Sequence, residues 1–272
     1  MRDDGPVLIL LPPSEGKTQA STGKPVDVSS LSFPELTSAR HEVAKSLIEV
    51  SGGADALKVL KVPAGLGELV AANADLLDAP AAPAWKVYTG VLFDAFGYAD
   101  LDPAAKRRAA RQVVVSSALW GAVRLTDRIP AYRLSMSVSL PRLGGLARFW
   151  KPMLDEPMTD AAARGLIIDC RSSTYAASWR PSGTLTKRYV PVRVFREQAG
   201  VRTVVSHMAK HSRGLIARAL TQQAAAPKSV DELVVLLNAH FDQHAVYTAT
   251  GEKVDLYVEA AQDDLGLDVI TT

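Results

Sequence analysis

Four apolar runs along the chain are each followed at once by polar or glycine-rich residues. Three are nearly continuous aliphatic segments, at Val7–Leu11, Val113–Val115 and Leu166–Cys170, and the fourth is the aromatic segment Trp85–Gly90. Aliphatic and β-branched runs of this length are typical of strands that are buried on both faces of a sheet. We therefore predict four buried strands. Because ligands collect where strand ends open between loops, we expect the residues after these strands to line one cleft.

Helical periodicity separates these runs. Apolar residues recur at steps of three and four from Leu36 to Val50, and an Asp-Pro pair at residue 102 is a strong signal for the start of another helix. A further helix is predicted at Leu143–Leu154, and partial alternation predicts a strand within Thr184–Glu197. After Val230 we expect one helix, a turn and one strand that pack as a tail on the body. With no internal repeat and only short linkers, the pattern predicts a mixed α+β fold with a central sheet and helical insertions, as a single domain over residues 1–272.

The composition excludes some classes of protein. With 272 residues and 47% hydrophobic content, the chain is large enough for a substantial core. The single cysteine, Cys170, excludes an internal disulfide, and we expect it to be a small buried residue in a reducing cytoplasm. Val7–Leu11 is too short for a signal peptide, and no segment is long enough to span a membrane. We therefore expect a cytoplasmic protein that makes no membrane contact.

The net charge of +2 conceals an uneven distribution of charge. The residues after Pro227 carry nine acidic side chains and two lysines, a net charge of −7, which leaves +9 for the residues before them. A basic body with an acidic tail is typical of proteins that bind nucleic acids or other polyanions. Ordinary variation in surface charge remains an equally open interpretation.

The segment PPSEGKT after the first predicted strand offers a candidate anion-binding lysine. Gly16, Lys17 and Thr18 resemble the end of a phosphate-binding P-loop, but the first glycine of that pattern would fall on Leu11, so this interpretation fails. Ser14 and Lys17 also have the S-x-x-K spacing of a nucleophile and its activating lysine in some hydrolases, although that spacing is common by chance. We favour a lysine at a strand end that binds a phosphate or carboxylate.

The stretch from Val113 to Met136 mixes large apolar side chains with charged ones on a segment interrupted by glycine and proline. Its charged candidates are Arg124, Asp127 and Arg133. Such a mixture is typical of the wall of a site, and the open alternative is a strand and a helical turn whose arginines lie in solvent. The ends of the other predicted strands add further candidates, which are Tyr88, Asp169 and Arg171.

The segment VPAGLGEL resembles the hairpin of helix-hairpin-helix DNA-binding modules. In such hairpins, glycines at the positions of Gly65 and Gly67 let backbone amides approach a phosphate without reading the bases. Ala64 adds one residue to the usual pattern, and Glu68 stands where a lysine often supports the contact. The alternative is an ordinary turn between two helices, with glycines that allow close packing.

The segment SHMAKHSRGLIAR predicts a helix that carries several polar candidates. Lys210 and Arg213 are three residues apart, which suits a clamp for a phosphate or a carboxylate. His207 and His211 are four apart and would share a helix face, but the motif contains no third ligand. We therefore predict no metal site, and we expect no cofactor.

Six segments occur in order along nearly the whole chain. They are PPSEGKT at Pro12–Thr18, VYTGVLFDAF at Val87–Phe96, SALWGAVRLTDRIPAYRLSM at Ser117–Met136, RFWKPML at Arg148–Leu154, DCRSSTY at Asp169–Tyr175 and SHMAKHSRGLIAR at Ser206–Arg218. Together they resemble the YaaA family of bacterial peroxide-stress proteins. The resemblance implies the compact fold of that family, with a helix-hairpin-helix element beside a positively charged cleft, and DNA binding in the oxidative-stress response.

Two classes of function remain open. The first is a cytoplasmic protein that binds duplex or branched DNA without sequence specificity, through the hairpin and the basic cleft. The second is an enzyme that acts on a phosphate-bearing small molecule, such as a nucleotide, or on a nucleic-acid base in the same cleft. The candidate binding residues are Lys17, Gly65, Gly67, Tyr88, Arg124, Arg133, Arg171, Lys210 and Arg213. The candidate catalytic residues are Lys17, Asp127, Arg133, Asp169 and Lys210.

Overall fold

A central sheet of eight strands organises the structure. A computed structural model describes residues 5–204, 207–244, 246–247, 253–261 and 265–271. The strands of the sheet are β1 (Leu8–Leu11), β2 (Val113–Ser117), β3 (Gly121–Arg124), β4 (Ile167–Asp169), β5 (Tyr189–Gln198), β6 (Val201–Val204), β7 (Leu256–Ala260) and β8 (Leu267–Thr271). Short ladders outside it join Ala82–Pro83 to Arg128–Ile129, Ser139–Leu140 to Gly144–Gly145, and Val246–Tyr247 to Lys253–Val254.

The strand order is β7-β8-β5-β4-β1-β2-β3, and β6 pairs with β5 as a hairpin. The middle strands β8, β5, β4, β1 and β2 run parallel, whereas β3 and β7 return antiparallel at the two edges. This arrangement confirms the predicted α+β class with a central mixed sheet. It also explains the unbroken apolar runs, because every residue of β1 and β2 is buried, as parallel strands covered on both faces require.

Helices and short 3₁₀ turns cover the sheet. Among the described residues, no helix is both long enough and apolar enough to cross a membrane. The α-helices are α1 (Thr37–Ser51), α2 (Ala56–Val59), α3 (Gly67–Ala71), α4 (Ala84–Val87), α5 (Val91–Phe96), α6 (Pro103–Gln112), α7 (Leu146–Ala161), α8 (Ser173–Ala176), α9 (His207–Gln222) and α10 (Val230–Gln243). The 3₁₀ turns are Val28–Ser30, Pro34–Leu36, Ala64–Leu66, Ala72–Asp75, Tyr98–Asp100 and Gly183–Arg188.

Local signals explain where several helices begin and meet. Asp102 accepts hydrogen bonds from the backbone amides of Ala104 and Ala105, so the predicted N-cap of α6 is confirmed. Helices α5 and α9 cross closely at Gly214, where an added Cβ would lie 2.2 Å from the carbonyl oxygen of Leu92. A glycine is therefore required at this crossing.

Two predicted elements are wrong. Trp85–Gly90 is not a buried strand, because its first residues belong to the helical turn α4, which the Tyr88 amide closes by donating to the Ala84 carbonyl. The C-terminal residues are not a tail on the body, because β8 is a fully buried strand that pairs in parallel with β5. The helix predicted at Leu143–Leu154 begins three residues later and continues through two prolines to Ala161.

Candidate functional site

Three of the predicted strands have their carboxyl ends side by side in the middle of the sheet. Strands β1 and β2 are parallel neighbours with Leu11 opposite Val115, and β4 flanks β1 on its other side with Asp169 opposite Leu10. After β1, residues 12–16 form a short loop, and Lys17 follows this loop. The sequence expectation that polar residues collect at these ends is therefore met at the centre of the sheet.

Tyr88 lies near these strand ends, but it does not follow a strand of the sheet as predicted. Lys17 and Tyr88 form an isolated antiparallel bridge, and the Thr18 amide donates to the Val87 carbonyl at 2.9 Å. The Ser14 hydroxyl accepts a hydrogen bond from the Thr89 amide at 3.1 Å, which fastens the loop to the residue after Tyr88. A bridge to the first loop, and not a strand of the sheet, therefore places Tyr88 in the site.

The amine of Lys17 lies between a backbone carbonyl and two aromatic faces. Its Nζ donates to the Ser14 carbonyl oxygen at 2.7 Å and lies 4.3 Å from the ring centroid of Tyr132 and 5.7 Å from that of Tyr88. Burial and, to a smaller extent, the nearby positive charge of Arg133 lower the pKa of Lys17 to about 7, against the opposing effect of Glu15. At neutral pH the amine is therefore present in both its charged and its neutral form.

The S-x-x-K interpretation does not fit this geometry. Lys17 bonds the carbonyl oxygen of Ser14 and not its hydroxyl, and that hydroxyl instead donates to the Gly16 carbonyl. A serine nucleophile needs its activating base within hydrogen-bond reach of the hydroxyl. Lys17 is therefore not arranged to activate Ser14.

Beneath Lys17, three buried hydroxyl groups form a chain. The Ser117 Oγ lies 2.7 Å from the Tyr132 hydroxyl, which lies 3.1 Å from the Tyr88 hydroxyl, and Ser117 is held by the Trp120 amide at 2.9 Å. Burial raises the pKa of both Tyr88 and Tyr132. Both phenols therefore keep their protons at physiological pH and remain able to donate hydrogen bonds.

Arg133 is the second cation near Lys17. Its Nη1 donates to the Glu15 carbonyl oxygen at 3.1 Å, and its backbone is fixed in both directions by the side chain of Asn73. Burial raises the pKa of Tyr175 to about 12, with Glu15 raising it and Arg133 lowering it, which places these groups in one electrostatic environment. We call this set the lysine cluster, and it comprises Ser14, Glu15, Lys17, Tyr88, Ser117, Tyr132, Arg133 and Tyr175.

Sequence reasoning did not select several members of the lysine cluster. Glu15, Ser117, Tyr132 and Tyr175 were not among the candidate site residues, although each lies within a motif quoted above. The available signal was position, because Ser117 ends β2, and Glu15 and Tyr175 follow β1 and β4 within a few residues. Their importance depends on contacts across the sheet that sequence spacing does not reveal.

The predicted hairpin precedes the turn that holds the backbone of Arg133. The 3₁₀ turn Ala64–Leu66 leads directly into α3, and an added Cβ at Gly65 or Gly67 would meet no atom within 4 Å. The residue that fixes the Arg133 backbone, Asn73, lies in the 3₁₀ turn that follows α3. The hairpin, which we define as residues 62–67, is therefore connected along the chain, through α3, to the turn that holds Arg133.

Asp169 and Arg171 form a buried ion pair. Arg171 Nε and Nη2 donate to the two carboxylate oxygens at 2.9 and 2.7 Å, and the Tyr189 hydroxyl donates to the same carboxylate at 2.7 Å. Arg171 also contacts the hydroxyl of Ser116, which leaves β2 on the opposite face from Ser117. The pair therefore belongs to the core on the other face of the sheet from the lysine cluster.

Arg124 and Asp127 lie away from the predicted cleft. The chain reverses after β2, so Arg124 returns beside Val114, and its guanidinium bonds the carbonyls of Arg111 and Val113 at the amino end of β2. Asp127 accepts hydrogen bonds from the backbone amide and hydroxyl of Ser32 and from the Arg124 amide. The expectation that Arg124 projects into the same cavity as Lys17 is therefore wrong.

The two residues of the predicted clamp on α9 lie in different surroundings. Arg213 donates from Nη2 to the Val192 carbonyl at 3.2 Å and lies near Cys170, whose pKa burial raises to about 12 against the effect of Arg213. Lys210 is exposed on the same helix. The side chain of His207 lies outside the described residues, and among those described no group of three or more His, Cys, Asp and Glu residues is arranged to hold a metal ion.

Comparisons with known proteins cover both the lysine cluster and the hairpin. The sequence profile of a family described as peroxide stress protein YaaA matches residues 7–244. A UPF0246 protein of Streptomyces coelicolor is 49% identical over 233 residues, which span 85% of this chain and 89% of the relative. A UPF0246 protein of Corynebacterium efficiens is 44% identical over 216 residues, spanning 79% and 84% of the two chains. An uncharacterised protein of Campylobacter jejuni is 27% identical over 213 residues, spanning 76% and 82%.

Proposed function

This chain belongs to the peroxide stress protein YaaA family, and from that premise we propose that it binds DNA in the cytoplasm through the hairpin and the lysine cluster. The contacts are made to phosphates and carry no sequence specificity. The single buried cysteine, Cys170, supports the cytoplasmic part of the proposal, because a lone thiol suits a reducing compartment.

The observation that carries the proposal is the open space at the two hairpin glycines. Neither Gly65 nor Gly67 has a positive φ angle, and a Cβ added at either position would meet no atom within 4 Å. Close packing between helices therefore does not account for them, and the fold itself tolerates a side chain at either position. Glycine at both sites is useful where another molecule must approach the backbone closely, as a phosphate does at the amides of a hairpin.

The distribution of charge supports the same surface. The hairpin leads through α3 to the turn whose Asn73 holds the Arg133 backbone, so the chain connects the hairpin to a guanidinium of the lysine cluster. The Leu66 and Gly67 amides bond the Pro63 and Ala64 carbonyls within the hairpin. The acidic C-terminal residues lie elsewhere, because β8 is separated from β1 by β5 and β4. Two of those acids are paired with arginines, Asp268 with Arg193 and Glu259 with Arg202. A polyanion is therefore directed towards the hairpin and away from the acidic edge.

Titration of a short duplex at several salt concentrations tests the proposal by fluorescence anisotropy. We expect affinity to fall steeply with added salt and to be the same for unrelated sequences, because each neutralised phosphate releases counterions. The double variant Gly65→Val, Gly67→Val is expected to weaken binding by about 1–3 kcal/mol, since the new side chains hold the phosphate away from the amides.

A matched control is Gly145→Val, which also adds a side chain at an exposed glycine with a negative φ angle. This variant is expected to bind as the unaltered chain does. Arg133→Gln is expected to reduce the slope of log affinity against log salt by about one. A folded protein that shows no duplex binding at low salt, or equal binding by both glycine variants, would contradict the proposal.

Lys17 favours a second candidate function at the same site. A lysine that only contacts phosphate acts best when it is solvated and charged, but burial and Arg133 both favour the neutral amine here. A desolvated lysine next to another cation is an arrangement that activates amines as nucleophiles or bases. The second candidate is therefore an enzyme that acts on a phosphate-bearing substrate, and Lys17→Arg separates the two functions because it keeps the charge and removes the reactive amine.

A further inference from the structure

The lysine cluster surrounds an amine that forms no ion pair in the described part of the chain, although the charge of Glu15 acts on it. Among the described residues, the contacts of Lys17 Nζ are the Ser14 carbonyl and the faces of Tyr132 and Tyr88, and no carboxylate lies within ion-pair distance. A structural lysine at this depth is normally paired with an acid, because burial of an unpaired charge is costly. The surroundings therefore favour an amine that spends much of its time neutral, with its lone pair available.

We propose that Lys17 Nζ forms a covalent imine with an aldehyde that is carried next to a phosphate group. The proposal deepens the function proposed above, because it rests on the same cleft and on the same attraction for phosphate. The geometry that carries it is the combination of an unpaired amine, a neighbouring guanidinium and a chain of buried hydroxyls at the ends of parallel strands.

The reaction balances without an oxidant or a reductant. The lone pair of Nζ attacks the carbonyl carbon, and the carbonyl oxygen takes up a proton to give a carbinolamine. Nitrogen then loses one proton to give the neutral carbinolamine, whose hydroxyl group takes up a second proton and leaves as water, so that a C=N bond replaces the C=O bond. The protonated imine formed in this way becomes the neutral imine when its nitrogen loses its remaining proton. The net change is amine plus aldehyde to imine plus water. A lysine whose pKa is lowered next to a second cation suits this addition.

The tyrosines beneath Lys17 contribute in two ways. The protonated imine carries a positive charge at Nζ, which lies 4.3 Å from the centre of the Tyr132 ring, so the ring face stabilises it as a cation–π contact. The hydroxyl chain from Tyr88 through Tyr132 to Ser117 passes a proton from one oxygen to the next. Both phenols remain protonated at physiological pH, which suits donation to the oxygen that leaves as water.

The phosphate requirement follows from Arg133. A guanidinium has five N–H donors in a planar fork that matches phosphate oxygens, and in the described contacts its Nη1 is the one bound, to the Glu15 carbonyl. Two sources supply an aldehyde next to a phosphate: the ring-opened sugar of an abasic site in duplex DNA, and a free aldose phosphate. The chemistry at Nζ is the same for both, and the hairpin contributes only to the first.

Reductive trapping tests the proposal on the purified full-length chain. Cyanoborohydride is added to the protein with one of four probes: a duplex with one abasic site, the same duplex with the abasic aldehyde reduced beforehand, an intact duplex, or deoxyribose 5-phosphate. Intact mass and peptide mapping then locate the adduct. We expect a single adduct at Lys17 from an aldehyde probe, and none from the reduced or intact duplex.

Two further measurements connect the adduct to the geometry. The trapping rate is expected to rise about tenfold per pH unit below 7 and to level off above it, because the neutral amine is the nucleophile. Lys17→Arg is expected to lower trapping by roughly 100-fold, whereas the matched variant Lys151→Arg, at an exposed lysine on α7, traps as the unaltered chain does. Peptide mapping on the unaltered chain gives the same answer even if Lys17→Arg fails to fold.

The outcomes separate this proposal from the proposed function. An adduct from the abasic duplex alone identifies DNA as the source, and an adduct from deoxyribose 5-phosphate alone identifies a small molecule. Trapping of the sugar phosphate by a protein that binds no duplex keeps the imine and removes the DNA proposal. Duplex binding without an adduct at Lys17, or adducts scattered over surface lysines, overturns the imine and leaves DNA binding intact.

Discussion

Asp169→Ala is expected to lower the free energy of unfolding by about 3–5 kcal/mol, because it leaves the Arg171 charge buried without its partner. The side chains of Arg171 and Asp169 are 1% and 2% exposed, so water cannot replace the lost carboxylate. The same change also removes the acceptor for the Tyr189 hydroxyl. Denaturant unfolding followed by tryptophan fluorescence measures the loss, and Trp179, whose carbonyl accepts from Arg171, is a local reporter.

The matched control for this prediction is Glu259→Ala. Glu259 also pairs with an arginine, Arg202, but both side chains are 36% exposed, so solvent screens the interaction and replaces it when the acid is removed. We expect no measurable change in the unfolding midpoint. If Asp169→Ala lowers the free energy of unfolding no more than Glu259→Ala does, the buried pair does not stabilise the end of β4.

Gly214→Ala is expected to lower the free energy of unfolding by about 2 kcal/mol or more, although alanine is the better helix former. The new methyl group would lie 2.2 Å from the Leu92 carbonyl oxygen and 2.8 Å from the Ala95 Cβ, so α9 must move away from α5. The gain of about 1 kcal/mol in helix propensity is smaller than the cost of that movement. Thermal or denaturant unfolding measures the difference.

Gly65→Ala provides the comparison for Gly214→Ala. The same methyl group is added at a glycine where it meets no atom within 4 Å, so stability is expected to change by less than about 0.5 kcal/mol. If Gly65→Ala lowers the free energy of unfolding as much as Gly214→Ala does, the hairpin glycines are needed for the stability of the fold. The contrary view, that the fold does not need them, is the basis for assigning them to phosphate binding.

The strands that were predicted correctly are those in which consecutive residues are apolar or small because both faces of the strand are buried. Val113–Ser117 and Leu8–Leu11 are covered on both faces, so every position is apolar or small. Leu267–Thr271 was missed because Asp268 interrupts its pattern, and only its pairing with Arg193 across the sheet makes that acid tolerable there. Long-range partners of this kind are not visible in a single sequence.

The candidate site was predicted in part for a related reason. Lys17 and Arg133 were selected because each lies in a polar segment near a strand, and the structure brings them together. Arg124 failed because the chain reverses after β2, so a residue only seven positions beyond Ser117 returns to the opposite end of that strand. Proximity in the sequence therefore predicted that Arg124 lies near β2, but it did not predict at which end of that strand.

The central claim is that Lys17 is a part-buried amine whose pKa is lowered to about 7, and side-chain NMR of isotopically labelled lysines tests it most directly. Lys17→Arg assigns the signal by its loss, and the remaining lysines serve as internal references. The account predicts a titration midpoint for Lys17 near 7, and a higher midpoint in Arg133→Gln, where the neighbouring positive charge is removed. A Lys17 midpoint that coincides with those of the surface lysines would contradict the account.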